Sequence, residues 1–176
     1  GIAVSDVALY DPDLAGIHFT GSTPVFQLLW RTVGENIDKY RTYPRLVGET
    51  GGKDFVVAHP SADPDVLTTA LIRGAYEFQG QKCSAASRAY VPRSVWKQMK
   101  DDFLGKVEAL SMGPVTDFSN FMSAVIDQRA FAKLSGAIER AHKNEDVSVV
   151  AGGTYDDSDG YFVRPTVALS KDPTNE

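Results

Sequence analysis

Short apolar runs alternate along this 176-residue chain with longer stretches in which apolar residues recur at helical spacing. The pattern predicts strands at residues 15–21, 55–58, 88–91, 147–151 and 161–169, and helices at residues 23–40, 64–78, 94–110 and 127–142. Strands that alternate with helices indicate an α/β class with a mostly parallel sheet flanked by helices. Residues 112–121 form the one long connection between these elements.

More specific predictions can be made for one strand and for the helix that follows it. Residues 55–58 are a compact apolar run of the kind found in buried strands. Asp63 and Pro64 open the helix that follows, and Gly80 is expected to end it. The residues expected on the inner face of that helix are Val66, Ala70, Leu71, Ala75 and Phe78.

Composition narrows the function classes. With 43% hydrophobic and 23% charged residues, a net charge of −5 and acids interleaved with bases, the chain shows neither a nucleic-acid face nor a basic membrane patch. No apolar run is long enough to predict a membrane span. A single cysteine excludes an internal disulfide framework and fits a reducing compartment. Three widely separated histidines give no metal-ligand spacing, so no metal is expected.

The strongest chemical candidates are a thiol and a carboxylate, each beside a break in regular structure. Cys83 lies in the polar run Gly80-Gln81-Lys82-Cys83-Ser84, where Lys82 could favour a thiolate if it faces the sulfur. Glu49 lies among glycines in Val47-Gly48-Glu49-Thr50-Gly51-Gly52-Lys53. Covalent catalysis with an acid/base partner needs these two groups. A small buried cysteine and a solvated turn glutamate are the plainer alternatives.

A third candidate is the junction between the first predicted strand and helix. Gly21 allows close backbone approach, Ser22 or Thr23 can cap the helix, and Pro24 suits its first turn. Free N–H groups at a helix start attract anions, so a phosphate site is possible there. A capped turn without a ligand is the commoner outcome, and the G-x-G-x-x-G dinucleotide fingerprint is absent.

Together these motifs resemble the aldehyde dehydrogenase superfamily. Phe19-Thr20-Gly21-Ser22, Gly48-Glu49-Thr50-Gly51-Gly52-Lys53 and Gly80-Gln81-Lys82-Cys83 occur in its order and spacing. Further segments are similar to its Δ1-pyrroline-5-carboxylate (glutamate-γ-semialdehyde) dehydrogenases: Tyr43-Pro44-Arg45-Leu46, Lys82-Cys83-Ser84-Ala85, Ser87-Arg88, Phe121-Met122-Ser123-Ala124-Val125-Ile126-Asp127 and Gly160-Tyr161-Phe162-Val163. The resemblance covers essentially the whole chain.

The resemblance implies a role for each candidate residue. Cys83 would be the nucleophile that forms a thiohemiacetal and then a thioester, and Glu49 the general base for thioester hydrolysis. Ser84 would bind the substrate, and the Cys83 N–H would be an oxyanion donor. The cofactor contact would be made by residues at the helix start, namely Gly21, Ser22, Thr23, Pro24 and Val25. The cofactor would be NAD, with NADP not excluded, and the substrate a small aldehyde.

The resemblance also implies an internal fragment of a longer enzyme. Residues 1–47 would be the last part of the NAD-binding domain and residues 48–176 the first part of the catalytic domain, which leaves the aldehyde-dehydrogenase-like sheet incomplete. The isolated fragment is expected to be inactive and the parent enzyme a homo-oligomer. Its location would be intracellular, cytoplasmic in a bacterium or in the mitochondrial matrix of a eukaryote. Another aldehyde dehydrogenase, a cofactor-free thiol hydrolase or acyl carrier, and a non-catalytic scaffold remain alternatives.

Overall fold

The computed structural model describes residues 2–175. It divides the chain into two compact units, one that ends at Gly52 and one that begins at Lys53. The assignment of residues 1–47 to a cofactor domain and 48–176 to a catalytic domain stays a prediction. Among the described residues, no helix combines the length and the apolar character needed to cross a bilayer.

The first unit is built around a strand–helix–strand crossover. Its elements are α1 (Ile2–Ala8), β1 (Gly16–Thr20), α2 (Thr23–Glu35), a 3₁₀ turn (Ile37–Lys39) and β2 (Arg45–Glu49). Strands β1 and β2 pair in parallel, so the connection between them must cross over, and α2 provides it. The predicted strand at 15–21 is confirmed, whereas the predicted helix at 23–40 ends at Glu35.

A small core holds this unit together. Leu29 and Val33 of α2 pack with Leu9 and Tyr40, and all four are buried. The Tyr40 hydroxyl donates a hydrogen bond of 2.6 Å to the Leu9 carbonyl, and burial raises the pKa of this phenol. A buried phenol needs such an acceptor, since leaving its O–H unpaired would carry a desolvation cost. The segment before β1 is thereby tied to the end of the crossover.

The second unit contains the remaining elements. They are β3 (Asp54–Val57), α3 (Pro64–Tyr76), β4 (Ala86–Tyr90), α4 (Arg93–Glu108), α5 (Gln128–Lys143), β5 (Val147–Ala151), β6 (Tyr155–Asp156), β7 (Phe162–Val163) and β8 (Val167–Ser170). Strands β3 and β4 pair in parallel, while β5–β8 and β6–β7 are antiparallel. The α/β class is confirmed, with two-stranded sheets throughout the described residues. The predicted strand at 161–169 is divided between β7 and β8.

Two of the helix starts follow directly from their capping residues. The Asp63 carboxylate accepts hydrogen bonds from the N–H groups of Asp65 (2.8 Å) and Val66 (3.2 Å). Asp127 does the same at α5, where it accepts from Ala130 at 2.8 Å. Each cap satisfies N–H groups that have no acceptor within the helix. Both starts agree with the sequence prediction.

The main core lies between α3 and α4. Its buried members are Leu67, Leu71, Ile72, Val95, Met99, Phe103, Val107 and Ala151. Burial of each large aliphatic side chain stabilises the fold by about 1.5–3 kcal/mol. Of the predicted inner face of α3, Leu71 is buried and Ala75 half-buried. The prediction is wrong for Ala70, which is exposed, and for Val66 and Phe78, which are 66% and 63% exposed. The helix is apolar on two sides, and packing against α4 selects the side with Leu67 and Ile72.

Strand β3 also departs from its prediction. The sequence predicts a buried strand at residues 55–58, but Phe55 and Val57 are 64% and 68% exposed, and it is Val56 and Ala58 that pack against the core cluster. Alternation along a strand sends successive side chains to opposite faces, which separates Val56 from its two neighbours. One face of the β3–β4 pair is thus covered within this unit.

Candidate active site

The strand–helix junction after β1 has the form of an anion site. Ser22 occupies the cap position of α2 with φ −77° and ψ 144°, and its side chain makes no capping hydrogen bond within the described part of the chain. Pro24 stands in the first turn, where its missing N–H costs nothing. Every residue from Gly21 to Val25 is exposed. The first-turn N–H groups and the helix dipole are therefore accessible to an anion.

The junction between β1 and α2 leaves no room for a side chain at Gly21. A Cβ built at this position would lie 2.5 Å from the tip of the Phe19 ring. The Phe19 ring stacks on Phe26 of α2 with centroids 5.8 Å apart and planes 10° from parallel. This stack fixes the start of α2 against β1. A Cβ at Gly48 of β2 would overlap the same Phe26 ring, so the strand also approaches the helix closely.

Glu49 is the last residue of β2, directly beside this junction. Thr20 and Glu49 are paired across the parallel strands, and the Gly21 N–H donates to the Glu49 carbonyl at 3.0 Å. The prediction of a break around Glu49 is wrong for Val47 to Glu49, which belong to β2. Carboxyl ends of parallel strands are the usual ligand-binding edge of α/β sheets. The structure thus brings the predicted carboxylate and the predicted cofactor loop to one edge.

Cys83 lies in an exposed turn that leads into β4. The Ala85 N–H donates to the Lys82 carbonyl at 3.2 Å, so Cys83 and Ser84 are the two central residues of the turn. Both are exposed, and the thiol is free. The alternative of a buried cysteine is therefore wrong. The closing hydrogen bond uses the Ala85 N–H and not the N–H of Cys83 or Ser84.

A left-handed corner separates α3 from this turn. The helix ends at Tyr76, before the predicted stop at Gly80, and Phe78 (φ 54°), Gln79 (φ 56°) and Gly80 (φ 65°) follow. Left-handed backbone is accessible to glycine but costs of order 1–3 kcal/mol for residues such as Phe or Gln. At Gly80 a Cβ would lie 2.7 Å from the Ala75 carbonyl oxygen. Sequence reasoning missed this corner, since Gly80 is its one visible signal.

Charged side chains bracket the corner. Glu77 accepts from Arg73 at 2.5 Å through one carboxylate oxygen and from Lys82 at 2.6 Å through the other. The hydrogen bond from Lys82, followed by the charges of Arg73 and Lys82, lowers the pKa of Glu77. The Lys82 ammonium is therefore bound to Glu77. Lys82 was expected to favour a thiolate only if its side chain faced the sulfur. In the structure its ammonium group faces Glu77.

The glutamine before Lys82 ties the loop to a distant segment. The Gln81 side-chain oxygen accepts from the Ile126 N–H at 2.9 Å, and the Gln81 N–H donates to the Phe78 carbonyl at 3.0 Å. Ile126 lies just before the Asp127 cap of α5. The Cys83 loop is thus anchored to the start of α5 as well as to the end of α3. The sequence gives no signal for this long-range contact.

The described residues bring together some of the predicted site and not all of it. The cofactor loop and Glu49 belong to the unit that ends at Gly52, and Cys83 and Ser84 to the one that begins at Lys53. The pairing of the Cys83 thiol with the Glu49 carboxylate therefore stays a prediction. Within residues 2–175, no group of three or more His, Cys, Asp or Glu side chains could hold a metal ion.

Comparison with known proteins gives one consistent family. The family model described as "Aldehyde dehydrogenase family" matches residues 1–176. A probable delta-1-pyrroline-5-carboxylate dehydrogenase of Schizosaccharomyces pombe is 49% identical over 179 residues, which cover 99% of this chain and 33% of that relative. The human mitochondrial delta-1-pyrroline-5-carboxylate dehydrogenase is 45% identical, over 98% of this chain and 31% of its own length. The chain thus spans about a third of the curated relatives it matches.

Solved structures agree with these relatives. The crystal structure of the Delta-pyrroline-5-carboxylate dehydrogenase from Mycobacterium tuberculosis is 66% identical and superposes with a TM-score of 0.96, over 99% of this chain and 32% of that one. The same enzyme bound with NAD superposes with a TM-score of 0.95 over 98% of this chain and 32% of that one. The resemblance inferred from the Gly21, Glu49 and Cys83 motifs is confirmed, and the chain belongs to the aldehyde dehydrogenase family.

Proposed function

We propose that the protein carrying this chain oxidises glutamate-γ-semialdehyde, the open form of Δ1-pyrroline-5-carboxylate, to glutamate with NAD⁺. The observation that carries the proposal is the 66% identity, at a TM-score of 0.96, to the Mycobacterium tuberculosis dehydrogenase over 99% of the chain. Residues 1–47 would supply part of the cofactor domain and residues 48–176 part of the catalytic domain. The complete enzyme would be a homo-oligomer inside the cell.

The residues around the start of α2 fit the pyrophosphate of a dinucleotide. A Cβ at Gly21 would run into the Phe19 ring, so this tight junction needs glycine, and the exposed first turn of α2 has no side-chain cap among the described residues. The backbone N–H groups of Ser22, Thr23 and Val25 would hold the anion. Gly21, whose own N–H donates to the Glu49 carbonyl, and Pro24, which has no N–H, would shape the turn beside it. When bound, NAD⁺ supplies the hydride acceptor, so that aldehyde, water and NAD⁺ yield carboxylic acid, NADH and a proton.

Cys83 is the nucleophile in this proposal. Its thiolate attacks the aldehyde carbon, and the carbonyl oxygen becomes the oxyanion of a thiohemiacetal. An exposed sulfur at the centre of a turn is open to substrate approach. The turn is closed by the Ala85 N–H, and the Cys83 N–H would donate to the oxyanion, where one such donor contributes about 3 kcal/mol in other enzymes. Ser84, the next exposed residue of the turn, binds the semialdehyde through its hydroxyl.

Glu49 completes the cycle as general base. The thioester left on Cys83 is hydrolysed by a water molecule whose proton passes to the Glu49 carboxylate. The sulfur then leaves as the thiolate, and glutamate is released. Glu49 lies exposed at the carboxyl end of β2, and its own carbonyl is fixed by the Gly21 N–H. A base held on a regular strand can be positioned with little freedom.

Two substitutions in the complete protein test these roles. Cys83→Ala is expected to lower the rate of NADH formation with glutamate semialdehyde by about a thousandfold or more. Glu49→Gln is expected to release one equivalent of NADH rapidly and then turn over about a hundredfold more slowly, because only hydrolysis of the thioester needs the base. Glu35→Gln, an exposed change at the end of α2, is the matched control and should behave as wild type.

Four results would contradict the proposal in whole or in part. Wild-type turnover by Cys83→Ala would exclude the nucleophile. Activity confined to ester hydrolysis without NAD⁺ would favour a thiol hydrolase. A folded protein that binds neither NAD⁺ nor aldehyde in a calorimetric titration would favour a scaffold. A preference for another aldehyde over glutamate semialdehyde would keep the chemistry and change the substrate.

A further inference from the structure

Glu77 occupies a position where an acid is electrostatically unfavourable. It is the C-cap residue of α3, at the negative end of the helix dipole. Two cations offset this cost, since Arg73 lies 2.5 Å from one carboxylate oxygen and Lys82 lies 2.6 Å from the other. The lowered pKa of Glu77 reflects the same contacts. The carboxylate therefore connects the last turn of α3 with the residue immediately before Cys83.

This connection spans the whole left-handed corner. Glu77 stands before Phe78 and Lys82 stands after Gly80, so a fixed Glu77–Lys82 distance limits the conformations of the three residues with positive φ. Phe78 and Gln79 have no intrinsic preference for that backbone. Without an external restraint the corner would relax toward commoner conformations, and the Cys83 turn would move with it.

An ordinary surface ion pair is the alternative explanation. The side chains of Arg73, Glu77 and Lys82 are 62%, 38% and 44% exposed, and pairs this exposed contribute little to global stability. The chain offers a matched pair of that kind. Asp102 and Lys106 lie 2.7 Å apart and are 48% and 51% exposed, but both belong to the single helix α4, so their pair spans no corner. A comparison of the two pairs separates a role in positioning the Cys83 turn from the small contribution that any surface ion pair makes to stability.

We propose that Glu77 is a positioning residue, whose carboxylate holds Lys82 against the end of α3 and thereby fixes the turn that presents Cys83. The proposal rests on the proposed function for its catalytic consequence, but its structural content is independent of it. The contacts of the Glu77 carboxylate are with Arg73 and Lys82. It acts through the backbone between Phe78 and Cys83.

The test compares Glu77→Gln with Asp102→Asn in the complete protein. Glu77→Gln is expected to speed amide hydrogen exchange in a peptide spanning residues 78–85 by about tenfold, because the corner opens more often. It should lower kcat by about tenfold and leave the KM for NAD⁺ unchanged, since a small displacement of the nucleophile affects the chemical step. Asp102→Asn should change neither the hydrogen-exchange rate of this peptide nor kcat.

A double-mutant cycle with Lys82 identifies the contact. If the two side chains act as a unit, Glu77→Gln, Lys82→Gln and the double variant should share the same exchange rate and kcat. Additive effects of the two changes, or unchanged exchange in Glu77→Gln, would overturn the proposal.

Failure of the proposed function would be seen separately. Full turnover by Cys83→Ala together with faster exchange in Glu77→Gln would remove the nucleophile and keep the positioning role. Loss of turnover in Cys83→Ala together with wild-type exchange and kcat in Glu77→Gln would keep the nucleophile and remove the positioning role.

Discussion

The two candidate catalytic groups are held by different kinds of structure. Glu49 ends a regular strand, and its neighbours are fixed by the parallel ladder with β1 and by the hydrogen bond from the Gly21 N–H. Cys83 follows a corner in which Phe78 and Gln79 have left-handed backbone, and side chains bridge that corner from outside. The position of Glu49 depends on backbone pairing. The position of Cys83 depends on the Glu77 and Lys82 side chains and on Gly80.

The difference predicts different tolerance to substitution. Any L-residue can adopt the extended backbone of a strand, so changes near Glu49 act through packing against α2. The Cys83 corner has a steric requirement at Gly80 and an electrostatic one at Glu77. A strained backbone conformation persists only when several surrounding contacts hold it in place. The Cys83 corner should therefore tolerate fewer substitutions than the end of β2.

The largest expected effect is that of Gly80→Ala. The new Cβ would approach the Ala75 carbonyl oxygen to 2.7 Å at a residue with φ of +65°. We expect the free energy of unfolding to fall by about 2–4 kcal/mol, measured by urea denaturation. Gly51→Ala beside Glu49 is the control, since its Cβ would meet no described atom within 4 Å. If Gly80→Ala and Gly51→Ala lowered the free energy of unfolding equally, the Cys83 corner would be no more sensitive to substitution than the end of β2.

A smaller effect is expected at Gly48, on the strand that ends in Glu49. A Cβ there would overlap the Phe26 ring, which is stacked on Phe19 and can only give way by disturbing that stack. We expect Gly48→Ala to destabilise by about 1–2 kcal/mol in the same denaturation experiment.

Gly34→Ala is the control for this change. Gly34 lies in α2, and a Cβ there would meet no described atom within 4 Å. Alanine is the better helix former, so this variant should gain up to about 1 kcal/mol. A loss at Gly34 comparable to that at Gly48 would show that α2, and not the Phe26 contact, is the sensitive element.

Much of the framework follows from the sequence because its signals are local. The Asp63 and Asp127 caps mark two helix starts, and the apolar runs mark β1, β3 and β5. Strand β2 was missed since Gly48 and the terminal Glu49 interrupt its apolar pattern. It becomes a strand through pairing with β1, a partner almost thirty positions earlier. Local pattern cannot indicate that pairing.

The sequence names candidate site residues, but it does not give their geometry. Motif order singles out Gly21, Glu49 and Cys83, and all three are exposed, Glu49 as the last residue of β2 and the other two just outside regular elements. The inner face of α3 could not be chosen from periodicity, because the helix is apolar on two sides and only α4 decides between them. The direction of Lys82 toward Glu77 depends on the left-handed corner, which one glycine does not reveal.

The smallest expected effect is a pH dependence that should be confined to the Cys83 region. The hydrogen bond from Lys82, and after it the charge of Arg73, lowers the pKa of Glu77 in the folded protein. A group whose pKa is lower when folded stabilises the fold above its unfolded pKa, and that contribution is lost as the pH falls through the folded value. The difference in Tm between wild type and Glu77→Gln should therefore be present at neutral pH. It should begin to shrink once the pH falls below the ordinary glutamate value of about 4.3, and it should disappear only below the lower value that Glu77 has in the folded protein.

Glutamine cannot titrate, so the variant itself supplies the reference curve. A Tm difference that stays constant into acid would mean that the effect of Glu77→Gln does not come from the loss of the carboxylate charge, and that this charge is not what holds Lys82. A difference that vanishes would assign the restraint to the charge. Acid should then also speed hydrogen exchange across residues 78–85 in wild type, after correction for the intrinsic exchange rate, while the backbone-held ladder between β1 and β2 keeps its protection over the same range.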